Sequence, residues 1–120
     1  MRMDKVNQQV KRTVSEVIQR EMADPRLQFV TITEVKVSKD LRSARVLYSF
    51  LGDQSKLDEI QVMLDRARGK IRHDLGRRIQ MRFTPELNFF FDKSIGDAYR
   101  LEEVLKEIHD EEDHSDDSEE

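Results

Sequence analysis

LDEIQVMLDRARGKIRHDLGRRIQMR, residues 57–82, sets the architecture of this chain. Leu57, Ile60, Leu64, Ala67, Ile71, Leu75 and Ile79 recur every three or four positions, which places one apolar face on a long helix. From residue 66 onward the same stretch holds seven Lys/Arg residues: Arg66, Arg68, Lys70, Arg72, Arg77, Arg78 and Arg82. Asp74 is the single acid of residues 66–82. Gly69 sits inside the helical pattern, where glycine costs about 1 kcal/mol relative to alanine. The spacing therefore predicts a kink at Gly69, with Gly76 loosening the last turns. A basic amphipathic element with such a weak point suits close approach to a phosphate backbone. The competing account is that Gly69 permits tight helix–sheet packing while the arginines solvate the outer face.

Outward from this helix the remaining elements follow. Pro85 prevents the helix from running on, and residues 87–91 (LNFFF) read as a strand. That strand is apolar on both parities, which predicts a central position or cover on both faces. Upstream, residues 29–37 (FVTITEVKV) form a β-branched strand whose alternation slips. Val30 and Ile32 share one phase and Val35 and Val37 the other, so a β-bulge near Thr33 and Glu34 is predicted. Residues 38–43 turn the chain into a second strand, residues 44–51, antiparallel to the first. Residues 4–23 carry Val6, Val10, Val14, Val17, Ile18 and Met22 at helical spacing, and Asp24-Pro25 stops that helix. Arg26 is expected to pair with Glu21 or Asp24. Residues 98–108 form a short closing helix through Leu101, Val104, Leu105 and Ile108. The order α-β-β-α-β-α predicts an α+β fold with helices on one face of a three-stranded sheet.

Composition bounds the function. A chain of 120 residues supports one domain. With no cysteine there is no disulfide framework, thiol nucleophile or thiolate metal site. No apolar run is long enough to span a membrane, and the N-terminal residues lack an apolar signal core, so a cytoplasmic protein is expected. The net charge of -4 conceals an asymmetry. Eight of the 25 acids lie in residues 110–120 (DEEDHSDDSEE), so residues 1–109 carry 17 acids against 21 Lys/Arg, a net of +4. The chain thus divides into a basic domain, residues 1–109, and an acidic tail, residues 110–120, that lacks the apolar content to order itself.

Nothing in the sequence assembles a catalytic group. His109 and His114 lie near or within the acidic tail, and His73 and Asp74 are adjacent on a helix and so do not face each other. The four glycines form no phosphate-binding loop. No enzyme activity, metal or cofactor is expected. Arginine supplies six of the seven bases in residues 66–82, and its planar fork suits phosphate oxygens and base stacking. Lys5, Lys11 and Arg12, off the apolar stripe of the first helix, are expected as secondary contacts.

The order of elements and the interrupted helix resemble a KH domain of the α-β-β-α-α-β type. KH modules clamp backbone nucleotides with a GxxG loop, and here Ala67-Arg68-Gly69 occupies the equivalent break. More specifically, the sequence resembles bacterial ribosome-binding factor A. The matching segments are QREMADPRL (residues 19–27), VTITEVKVSKDLRSARV (30–46), Ala67-Arg68-Gly69, IRHDLGRRIQMRFTPELNFFFDKSI (71–95) and YRLEEVL (99–105). The resemblance implies a KH-like, non-enzymatic assembly factor. Its partners would be small-subunit rRNA and the immature small ribosomal subunit, and it would assist late rRNA maturation, including in the cold. It also implies a monomer whose helix kink lies at Ala67, Arg68 and Gly69. Two other classes stay open on the residues alone: a general single-stranded nucleic-acid binder, and an adaptor whose basic face meets an acidic protein.

Overall fold

A computed structural model describes residues 2–22 and 24–94. Helix α1 (Met3–Glu21) passes through a 3-10 turn (Pro25–Phe29) into strand β1 (Val30–Val37). Strand β2 (Ser43–Phe50), a 3-10 turn (Gln54–Lys56), helix α2 (Leu57–Arg78) and strand β3 (Glu86–Phe91) follow. This is the expected α+β layout of helices against a three-stranded sheet. The predicted closing helix, the acidic tail and the boundary at residue 109 lie outside the described residues. Among the described residues no helix is long and apolar enough to cross a membrane.

Helix α1 buries Val6, Val10, Val14, Val17 and Ile18, the face its spacing predicts. Met22 is already extended, and Asp24 caps the following turn by accepting the Arg26 amide at 3.0 Å. The Arg26 guanidinium lies 2.8 Å from the Asp24 carboxylate and also pairs with Glu59 in the first turn of α2. Arg26 thus ties the α1–β1 joint to α2. Asp24 is one of its expected partners, and Glu59 had no local signal.

Strands β1 and β2 are antiparallel, and their register shifts between Ile32 and Glu34. This is the bulge that the slipped alternation requires. It brings Val30, Ile32, Val35 and Val37 to one face, opposite Phe50, Tyr48, Val46 and Ala44, and all eight are buried. The residue at the bulge has a role of its own. Thr33 Oγ1 donates to the buried Asp92 carboxylate at 2.7 Å, with the Leu47 carbonyl at 3.2 Å, so β1 is pinned to the end of β3.

One expectation is corrected. Strand β3 is an edge, paired parallel to β2 in the order β1-β2-β3, and β2 takes the centre. Leu87 and Phe89 are buried, while Phe90 points the other way and is 44% exposed, with the Arg45 guanidinium 5.0 Å from its ring centre. Among the described residues its second apolar parity is shielded by a surface arginine. Helix α2 runs from Leu57 to Arg78 and includes Ala67, Arg68 and Gly69, the place of the expected kink. Leu64 and Ala67 before Gly69, and Ile71 and Leu75 after it, are all buried on one face. A break would lift half of that face from the core, at a cost well above the roughly 1 kcal/mol of one glycine. Gln61 adds a polar lock. Its Oε1 accepts the buried Tyr48 hydroxyl at 2.5 Å and its Nε2 donates to the Phe89 carbonyl at 2.9 Å, joining α2 to β2 and β3.

Candidate nucleic-acid interface

The seven bases of residues 66–82 do not form one ridge, because α2 turns about 100° per residue and distributes six of them around its axis, while Arg82 lies in the connector beyond it. Arg68 points toward the sheet edge, where Nη1 donates to Asn88 Oδ1 at 3.2 Å. Lys70 and Arg77 flank Asp74 at 3.1 and 3.9 Å. Asp74 is only 5% exposed, and a carboxylate so enclosed requires a cation beside it, so Lys70 also serves the fold. Arg78 reaches Glu16 of α1 at 3.5 Å. Arg66 is exposed with no ion pair or hydrogen bond among the described residues.

Arg72 defines the principal surface. Its Nε and Nη2 both donate to the Thr84 carbonyl, at 3.1 and 2.9 Å, and bind the connector after α2 back against the helix. Between helix and connector lies an open groove of about 610 Å³, lined by Gly69, Arg72, His73, Gly76, Arg77, Arg82, Phe83 and Thr84. Gly69, His73 and Gly76 fall four and three residues apart, so they share one helical face. The two glycines have different causes. A Cβ on Gly76 would stand 2.9 Å from Thr84 Oγ1, so Gly76 lets the connector approach the helix. A Cβ on Gly69 would meet nothing within 4 Å. The packing account offered for Gly69 therefore belongs to Gly76, and Gly69 leaves bare backbone facing the groove.

The sequence reading missed two contributors. The turn between β1 and β2 lies beside the connector, where the Glu86 amide donates to the Arg42 carbonyl at 2.9 Å. Its Arg42 guanidinium sits 4.6 Å from the Phe83 ring centre, and Arg82 lies 5.7 Å from the same ring. Phe83 was detectable as an aromatic next to Arg82 in a basic stretch. Arg42 had no local signal, because it lies 41 positions from Phe83 along the chain. The turn is held by Asp40, whose carboxylate accepts the Ser38 hydroxyl at 2.6 Å and the Arg42 amide at 3.1 Å. The Ser38 hydroxyl, then the Arg42 amide, keep its carboxyl below the usual carboxylate range. Within the turn Leu41 adopts φ 64°, a left-handed conformation that costs a branched residue on the order of 1–2 kcal/mol.

The N-terminal bases are not drawn into this groove. Lys11 lines a separate cleft between α1 and β1, with Asp4, Asn7, Glu34 and Lys36. Lys5 and Arg12 are exposed on α1 and are not among the groove-lining residues. Since β1 and β3 are opposite edges of the sheet, Lys11 and the α2 groove occupy different sides of the domain.

Known proteins share this arrangement of elements. The family model described as ribosome-binding factor A matches residues 2–105. The crystal structure of ribosome-binding factor A from Thermus thermophilus aligns with a TM-score of 0.68 at 30% identity, covering 75% of this chain and 96% of that one. A solution structure from Thermotoga maritima, described as a putative ribosome binding factor A, aligns at 0.64 and 32%, covering 72% and 83% respectively. A Thermus thermophilus homology model fitted into a cryo-EM map of a 30S–RbfA complex aligns at 0.61 and 31%, covering 72% and 91%.

Proposed function

The chain belongs to the ribosome-binding factor A family, and from that membership we propose that it binds the immature small ribosomal subunit and assists late maturation of small-subunit rRNA, including during cold adaptation. It does so in the cytoplasm, as a monomeric KH-like module without an enzymatic step or cofactor. The observation that carries this reading is the groove between α2 and its connector. Arg72, Arg77 and Arg82 surround a backbone left bare at Gly69. Exposed guanidinium groups beside unobstructed backbone suit a polyanionic strand, because each neutralised phosphate releases counterions. The relative fitted into a 30S map supplies the class of partner.

Within this reading the phosphate contacts come from Arg66, Arg72, Arg77 and Arg82. Lys70, Arg68 and Arg78 contribute from their flanks, and Lys5, Lys11 and Arg12 act at a second surface. The Ala67-Arg68-Gly69 segment serves as an access point for the strand. Binding favours one rRNA conformation by differential affinity, and no bond is made or broken.

The test is sedimentation of cell extract through a sucrose gradient, with detection of wild type and an Arg77→Glu/Arg82→Glu variant. Wild type should co-migrate with free small subunits and the variant should shift to the top fractions with an unchanged circular dichroism spectrum. Wild type at the top of the gradient at low and moderate salt would refute subunit binding. A variant that still co-migrates would refute the groove as the contact surface.

A further inference from the structure

Phe83 is 38% exposed and is approached by two guanidinium groups, Arg42 from the β1–β2 turn and its own neighbour Arg82. Neither arginine has an ion-pair partner among the described residues. Two like charges are thus gathered at one ring with no salt bridge among the described residues, and Asp40 acts on the Arg42 guanidinium only through its charge, from within the turn. Arg42 is presented there by a turn that contains the left-handed Leu41 and is fastened by the Arg42 carbonyl to the Glu86 amide. Local strain that orients one exposed side chain points to a use for that side chain. The same ring also lines the groove with Arg72 and Arg77.

We propose that Arg42 layered on Phe83, with Arg82 alongside, is a stacking station for one unpaired RNA base. The inference rests on the RNA-binding reading above and deepens it. A guanidinium packed on an aromatic ring presents a flat cationic layer, and unstacked bases settle on such layers through their π-faces. Phosphates flanking that base would run along the groove past Arg77. The station distinguishes unpaired from duplex RNA, because a base inside a helix has no free face to offer. It also explains arginine at position 42, where lysine would supply the charge without the plane.

The test uses the full chain and a series of short uridine-rich RNAs with one 2-aminopurine moved along the strand. Stacking quenches the probe, so wild type should quench it at one position in the bound strand. Arg42→Lys keeps the charge and Phe83→Leu keeps the apolar bulk. Each should abolish the quench and weaken binding about five-fold or more, with the salt dependence unchanged because the phosphate count is the same. RNA that binds wild type without positional quenching overturns the station. So do variants whose affinity and quenching match wild type. If wild type binds none of these RNAs at low salt, the RNA-binding reading falls and the station falls with it.

Discussion

Replacing Gly69 by alanine should make this protein more stable. Gly69 lies inside the continuous helix α2, no described glycine has a positive φ, and an added Cβ would meet nothing within 4 Å. No steric cost therefore opposes the substitution. Alanine gains the helix-propensity difference, about 0.8–1 kcal/mol, largely because its unfolded chain has less conformational freedom to lose. For a domain of this size, unfolding entropy near the midpoint is on the order of 0.2 kcal/mol/K, so the melting temperature should rise by about 4 °C. Thermal and urea unfolding followed by circular dichroism measure both quantities. Gly76→Ala is the internal control. It gains the same propensity but drives a Cβ to 2.9 Å from Thr84 Oγ1, so the connector or the Thr84 side chain must shift. Gly76→Ala should therefore fall short of Gly69→Ala by about 1 kcal/mol or more. A melting temperature that falls on Gly69→Ala would refute the reasoning. So would equal effects at the two sites. In the same variant, subunit binding should weaken, because the methyl group covers the backbone that the groove leaves bare.

Three further outcomes are expected. Burial, then the nearby charges of Asp65 and Asp58, push the Tyr48 hydroxyl up to about 12. The unfolded chain loses this proton near pH 10 while the native state keeps it, so the contribution is intact below about pH 10 and is lost as pH rises toward 12. Stability should then fall by up to about 1.4 kcal/mol per pH unit in that window. Urea titrations at about pH 9 and about pH 11 should show this in wild type and not in Tyr48→Phe. Thr33→Val removes one donor to the buried Asp92 carboxylate, which keeps the Ser94 amide and hydroxyl, and should cost about 1 kcal/mol by urea denaturation, whereas Thr33→Ser should cost less than half of that. Leu64→Ala, at a fully buried site on α2, should cost about 2–5 kcal/mol in the same assay.

Much of the fold was legible in the sequence, because burial on a single element is a local periodic property. Side chains alternate along a strand, so the slip between Val30/Ile32 and Val35/Val37 could be reconciled on one buried face only by an extra residue, and the register shift lies at that place. The valines of α1 and the leucine–isoleucine face of α2 were readable for the same reason. The basic character of residues 66–82 was equally plain.

The tertiary structure alone decided matters that depend on which distant segments meet. The two-sided apolar character of Leu87, Phe89 and Phe90 fits a central strand or an edge strand shielded by a neighbouring arginine. Only the crossover through α2 placed β3 at the edge, beside Arg45. Burial on both sides of the weak point at Gly69 keeps α2 helical through it, which depends on what the helix packs against. The seven bases read as one patch along the sequence, yet the helical twist and partners such as Asn88, Thr84 and Glu16 divide them. Arg42 reaches Phe83 because β2 pairs with β3 in parallel, which brings the β1–β2 turn beside the start of β3. The sequence by itself thus determined the elements, their buried faces and the charge of the surface, since each follows from neighbours a few residues apart. Strand order and the composition of the groove came from the tertiary structure, since both are set by long-range pairings that no local period records.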